Sequence, residues 1–232
     1  MKFCLVHPRA ISISAKELAE TLECERFNPY DTGRDNFNQY DLVFNYGGGY
    51  SIMAKKFINT PFAVRTCIDK VSTLRILNKH NLPTVAYATR KQDIPKSWKT
   101  IVVRAKVDGR KAEDLDFCYD HSAIPDAPLY TEHFDHVREY RIVVFMGQVV
   151  GRYYKKLIKG DWIFTVQPKN GFEEMDEACL KAAKAIGIDY CGFDVVSQTK
   201  KKFAILEANS GPVLTEEARL KIFDYFYNPE YF

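Results

Sequence analysis

The 232-residue sequence has no run approaching 18 apolar residues, so no segment is expected to cross a bilayer as a helix. Met1 to Val6 is apolar but stops at His7-Pro8-Arg9, too soon for the apolar region of a signal peptide. No Cys-x-x-Cys pair occurs among the six cysteines (Cys4, Cys24, Cys67, Cys118, Cys179, Cys191). Scattered through apolar and helical patterns, they read as reduced thiols of a cytoplasmic protein. Excess charge is also lacking: 33 Lys and Arg against 30 Asp and Glu leave +3, which gives no reason to expect DNA or an anionic membrane as partner. Internal repeats, low-complexity stretches and long linkers are absent. So is any persuasive Ser-His-Asp or Cys-His set for a covalent enzyme intermediate.

What is present is globular: 46% hydrophobic, 27% charged and 14% aromatic residues, with 16 Phe and 14 Tyr. At 26.8 kDa, area scaling buries about 70% of the unfolded surface, enough for a core without disulfides or a structural metal. The first 60 residues or so read as a β/α unit. Phe3 to Val6 and Asp41 to Asn45 are strands, and a helix from Ser14 to Glu23 has Ser14 and Glu17 at capping-box spacing. Gly47-Gly48-Gly49 reads as a turn, because no Lys-Ser/Thr follows to make a phosphate loop. A helix is expected over Ile68 to Asn81, then strands at Val85 to Tyr87, Thr100 to Arg104 and Leu129 to Glu132. Tyr140 to Phe145 with Val149 to Tyr153 form a hairpin, and Glu173 to Ile186 a helix stopped by Gly187. A second hairpin joins Cys191 to Val196 with Phe203 to Ala208. The aromatic helix Ala218 to Tyr227, continuing to Tyr231-Phe232, packs on the body, with self-association as a homodimer the alternative. The fold class is α+β with a small α/β N-terminal unit.

Chemistry concentrates in the second hairpin. A turn centred between Lys200 and Lys201 gives cross-strand partners whose numbers sum to about 401, which sets Asp194 opposite Glu207. Asn209, two residues on, shares that face. Two opposed acids in apolar strands repel, and a hard divalent cation would offset the repulsion while keeping sites for water and phosphate oxygens. A surface hairpin whose acids pair with lysines is the other reading, and both stand open from this segment alone. Positive charge clusters over Lys96, Lys99, Arg104, Lys106, Arg110 and Lys111, and again over Arg152, Lys155, Lys156 and Lys159. Fixed cations opposite an acidic metal site suit a polyphosphate, although a solvated charged face suits any single lysine. RNA is the weaker partner, since these runs lack interleaved aromatics.

From Asn59 to Thr215 the ordered set resembles the ATP-grasp superfamily, especially D-alanine–D-alanine ligases and RimK-type peptide ligases. Asp69-Lys70 opening a helix resembles the first phosphate-contacting lysine, and Val102-Val103-Arg104 stands where the second, strand-borne lysine belongs. Glu132-His133-Phe134 with Glu139 resembles the adenine hinge and the acid for the ribose hydroxyls, with Phe134 and Leu206 as pocket walls. Asp194, Glu207 and Asn209 match the metal triad. The resemblance implies two α+β subdomains clamping ATP, with a small domain over 1–60, a central subdomain over 61–131 and a metal-bearing C-terminal subdomain over 132–232. It implies one or two Mg²⁺, with Mn²⁺ as a substitute, and an ADP-forming carboxylate–amine ligase working through an acyl phosphate. Lys70, Arg104 and either Lys155 or Lys156 would offset phosphate charge; Arg141 with Arg152 would grip a substrate carboxylate, with surface ion pairing the equal alternative for both.

The departures bear on substrate. Arg104 replaces a lysine, and the loop Ala105 to Lys111 carries a single Gly. D-Alanine–D-alanine ligases place an Arg two residues before the metal Asp, where this chain has Gly192, which disfavours a dipeptide ligase. A short opening domain points to a larger acceptor such as a peptide. The competing readings are an ATP-grasp kinase, with His7, His133 or His136 as base, and a non-catalytic nucleotide-binding protein.

Overall fold

A computed structural model describes residues 2–8, 12–108 and 115–228. Strands β1 (Phe3–Val6), β2 (Glu25–Phe27), β3 (Leu42–Asn45) and β4 (Phe57–Ile58) form a parallel sheet in the order β2-β1-β3-β4. Helix α1 (Ile13–Thr21) and the short α2 (Pro29–Thr32) connect its first three strands, as parallel pairing requires. Ser12 rather than Ser14 caps α1, its Oγ accepting the Ala15 N–H at 3.3 Å. Ser14 already lies inside the helix, so the Ser14–Glu17 capping box does not form.

Two helices follow where one was expected. Thr60 caps α3 (Pro61–Ile68), and Asp69 both ends it and caps α4 (Lys70–Lys79) by accepting the Val71 N–H at 3.0 Å. A proline at the first helical position suits α3, because its missing N–H would have no partner there. Strands β5 (Tyr87–Ala88), β6 (Ile101–Arg104), β7 (Leu115–Cys118) and β8 (Leu129–Glu132) then make an antiparallel central sheet, ordered β5-β8-β6-β7. Gly109, Arg110 and Lys111, and likewise Tyr231-Phe232, lie outside the described residues.

The largest sheet comprises β9 (Arg138–Phe145), β10 (Gln148–Ile158), β11 (Asp161–Val166), β12 (Tyr190–Ser197) and β13 (Phe203–Asn209), ordered β11-β10-β9-β12-β13. Turns at Met146-Gly147 and Lys159-Gly160 join β9 to β10 and β10 to β11. Both residues of each turn have positive φ, the twist a two-residue hairpin favours. Helix α5 (Glu173–Ile186) ends at Gly187 (φ +74°), and α6 (Glu216–Tyr227) closes the chain's last described element.

Alternation gives this sheet two faces with different fates. Tyr140, Ile142, Val144, Cys191, Phe193 and Val195 pack to the rear against α5 and residues of α3 and α4. On the front, Val143, Phe145, Tyr153 and Tyr190 are covered by the N-terminal unit and by Ile222 and Phe226 of α6. Asn59 fastens that junction. Held at φ +64°, a conformation asparagine tolerates, it is fully buried. Its amide donates to Tyr190 O at 2.8 Å and Asn45 O at 3.3 Å, and its Oδ1 accepts from the Asp189 and Tyr190 N–H groups. The remaining front face carries Asp194, Arg141, Glu139 and Lys155. Among the described residues, no helix is long and apolar enough to cross a membrane, and the six cysteines are free thiols.

Candidate active site

The register between β12 and β13 sets Asp194 opposite Glu207 and Gly192 opposite Asn209. From Val195↔Ile205 to Ser197↔Phe203 the partners sum to 400, so the turn is centred on Lys200 itself. A bulge at Leu206 adds the residue that brings Glu207 into line with Asp194. The extra side chain does not disturb the faces: Ile205 and Ala208 stay in the rear core, while Ala204 and Leu206 join Val196, Leu74, Val85 and Leu129 in an apolar cluster between the two sheets. Phe134 packs on the same cluster, so the two expected adenine walls lie together.

Each acid has a cation. The Asp194 carboxylate receives Arg141 Nε at 2.7 Å and Nη2 at 2.9 Å, and Lys155 Nζ at 2.8 Å. Burial penalises its charge, but Arg141 and Lys155 together outweigh that penalty and hold its pKa below the usual carboxylate range. Glu207 faces Lys70 Nζ at 3.5 Å, and Lys155 also stands 3.5 Å from Glu139. The sequence left two ways to offset the acid–acid repulsion, a metal or lysine partners; in the structure, lysines and an arginine already offset it. Arg104 ends β6 on the opposing sheet with its guanidinium partly desolvated, which lowers its pKa, while Glu207 acts in the other direction. Among the described residues it forms no ion pair.

Arg141 and Arg152 do not form a shared clamp. Arg141 pairs in register with Tyr153 and Arg152 with Ile142, so the two side chains leave opposite faces of adjacent strands. Arg152 points to the rear, where Asp176 of α5 takes its Nε at 2.9 and 3.0 Å. It belongs to the packing of that helix. The hinge residues gather at the end of β8: Glu132 N–H donates to Ala86 O at 2.9 Å and His133 N–H to Thr100 O at 3.0 Å. His133 meets the Phe117 ring edge-on, and His136 lies between Phe134 O (2.8 Å) and Glu139 (3.3 Å). These contacts involve neither Asp194 nor Glu207.

Gly192 shows why an arginine two residues before Asp194 has no place in this chain. A Cβ there would stand 2.7 Å from Pro212 Cβ and 3.3 Å from Arg141 Cδ. Arg141 reaches Asp194 from the neighbouring strand through the space that side chain would fill. Two aromatic residues, Trp162 and Phe164 of β11, were missed altogether. Their rings lie over Lys155 Nζ (4.2 Å to the centroid) and the Arg141 guanidinium (5.0 Å). The signal existed: Gly160-Asp161 followed by Trp-Ile-Phe-Thr-Val is a turn and a β-branched and aromatic run.

Two carboxylates and an amide oxygen are a hard donor set. Each keeps acceptor capacity beyond its present hydrogen bonds, including Asn209 Oδ1, which accepts the Gly211 N–H at 3.0 Å. Among the described residues no group of three or more His, Cys, Asp or Glu could cage a metal. The set therefore fits an ion that keeps water and phosphate oxygens, as Mg²⁺ does, rather than a fully protein-bound ion.

Comparison with known proteins addresses the fold. Residues 129–224 match the RimK-like ATP-grasp domain family. The structure of the ATP-grasp ligase PsnB complexed with minimal precursor superposes with a TM-score of 0.70 at 12% identity, covering 94% of this chain and 92% of that one. The D-alanine–D-alanine ligase of Bacillus anthracis complexed with ATP gives 0.64 at 15%, covering 93% and 88%. The Chryseobacterium gregarium RiPP-associated ATP-grasp ligase, in complex with ADP and a leader and core peptide, gives 0.66 at 14%, covering 97% and 96%. No curated protein matches by sequence. The chain has the ATP-grasp fold, and its residues 129–224 match the RimK-like ATP-grasp domain model.

Proposed function

We propose that this protein is an ATP-dependent, ADP-forming ligase that joins a carboxylate to an amine through an acyl phosphate, with a peptide as the larger substrate. The gathering of Lys70, Arg104, Arg141 and Lys155 around Asp194 and Glu207, in a cleft between two sheets, carries the reading. ATP would lie with its adenine between Phe134 and Leu206, its hinge contacts at Glu132 and His133, and its ribose at Glu139. Asp194, Glu207 and Asn209 would hold one or two Mg²⁺, which when bound supply charge neutralisation along the phosphate oxygens.

The chain's own residues account for the rest of the catalytic demand. Phosphoryl transfer to a carboxylate brings anion to anion, so its barrier falls when fixed cations stand where charge spreads. Lys70 from α4 and Arg104 from β6 approach from one side of the cleft, and Arg141 and Lys155 from the other. Arg104, partly desolvated and outside any ion pair among the described residues, is the cation with most to gain from a phosphate. Positioning and charge suffice; no nucleophilic side chain is required. A peptide acceptor suits a site bordered by the edge strand β11, which is exposed along most of its length. Free, unpaired thiols support a reducing, cytoplasmic setting.

The test is release of ADP and phosphate from ATP with Mg²⁺ in the presence of amino acids and peptides. Glu207→Ala should abolish it, and turnover unchanged in that variant rules the site out. A stable phosphorylated product without free phosphate would make the protein a kinase instead.

A further inference from the structure

Lys155 is a long, flexible cation in a place where flexibility is a liability. Its ammonium stands 2.8 Å from Asp194 Oδ2, 3.5 Å from Glu139 Oε2 and 4.2 Å from the centre of the Trp162 ring. Two of those neighbours belong to the proposed nucleotide site; the third belongs to β11, at the edge of the sheet. Register explains the meeting. Lys155 pairs with Phe164 and Leu157 with Trp162, so Lys155, Trp162 and Phe164 share the front face with Arg141 and Asp194. Phe164 packs at the margin of an apolar cluster, whereas Trp162 is 42% exposed and joins none of the clusters among the described residues. Core packing therefore does not account for the indole, and its close neighbour is the ammonium.

We infer that Trp162 is a positioning residue that keeps Lys155 aimed into the cleft. This rests on the proposed nucleotide site. Lysine holds its charge on four rotatable bonds and is readily drawn into water. Asp194 alone is an unreliable tether, because a divalent cation on that carboxylate competes with Lys155 for the same oxygens. An indole face attracts the ammonium without taking a hydrogen bond or carrying charge, so it holds the side chain whether or not Asp194 does. Phe164 does the same for Arg141, whose fork is already fixed by two hydrogen bonds and needs the ring less.

The chain has two tryptophans, and Trp98 is buried in the central subdomain, so Trp98→Phe leaves Trp162 as sole reporter. In that background without nucleotide, Lys155→Met should shift Trp162 emission; an identical spectrum overturns the inference whatever the nucleotide site does. Calorimetry with Mg²⁺·ADP then reads function. Trp162→Leu should weaken binding roughly three- to tenfold, and Trp162→Phe, which keeps an aromatic face, should recover most of it. Parental affinity in Trp162→Leu overturns the inference. So does equal weakening in both variants accompanied by a lowered melting temperature, the pattern of a merely structural residue. Failure of the parent to bind nucleotide sinks the functional reading, and the nucleotide-free spectra still decide whether the ring holds the lysine.

Discussion

At the scale of single residues, Asn59 does more for the architecture than any charged group. Its one side chain satisfies four backbone groups spread over β3 and the start of β12, all away from water. Replacing it by alanine orphans buried donors and acceptors and leaves a positive φ that alanine resists. Asn59→Ala should cost about 4 kcal/mol, four buried groups at the lower end of roughly 1–3 kcal/mol each. Urea unfolding measures it, and an unchanged midpoint would show that the junction is held elsewhere. Nothing in the sequence marked Asn59, because three of its four partner groups belong to Asp189 and Tyr190, 130 and 131 positions away. The placement of Asp194 opposite Glu207, with Asn209 on the same face, was legible from the hairpin pattern. Arg152 was misread for want of a register: charge type shows in a sequence, but the face it leaves depends on which residue the neighbouring strand puts opposite.

Among elements, the most consequential is the bulge in β13. Removing Leu206 leaves Val195↔Ile205 and Asp194↔Glu207 as consecutive ladder pairs, so the acids keep their places while one wall of the apolar cluster disappears. Deletion of Leu206 should therefore give a folded protein whose ATP affinity drops about tenfold, the effect of losing contact with one aliphatic side chain. Calorimetry on the deletion variant checks it; unaltered affinity in a folded variant would take Leu206 out of the adenine pocket. The sequence placed this hairpin and its facing acids but centred the turn half a residue away. Long periodic elements such as α5 were legible to the residue, because 14 positions of amphipathic pattern end at a glycine. The two- and three-residue strands β4 and β2 offer too few positions for a period to show.

For the molecule as a whole, three sheets share two interfaces. Helix α6 returns to α1, with Arg219 Nη1 2.7 Å from Glu17 Oε2 and the Tyr227 hydroxyl donating to Leu22 O at 3.0 Å. No local pattern announces such a docking, and only the aromatic content of the last helix pointed to burial. The same interior sets a response to alkali. Burial, with smaller contributions from neighbours, pushes the Cys4 and Cys24 thiols up to about 12, against 9.0 in an unfolded chain. A group whose folded pKa is raised contributes stability fully below its unfolded value and loses it as pH climbs toward the folded one. The urea midpoint should therefore hold to about pH 8.5 and fall between 9 and 12. A midpoint rising over that interval would contradict the burial of these thiols.

Because Arg141, Lys155 and Lys70 already quiet the opposed acids, the late hairpin holds its shape with protein charges alone. Folding does not wait on the proposed metal. A chelator should therefore leave the scaffold standing, unlike a zinc finger, which collapses with its metal. The ion proposed for this site would then come and go with its nucleotide while the frame stays unchanged.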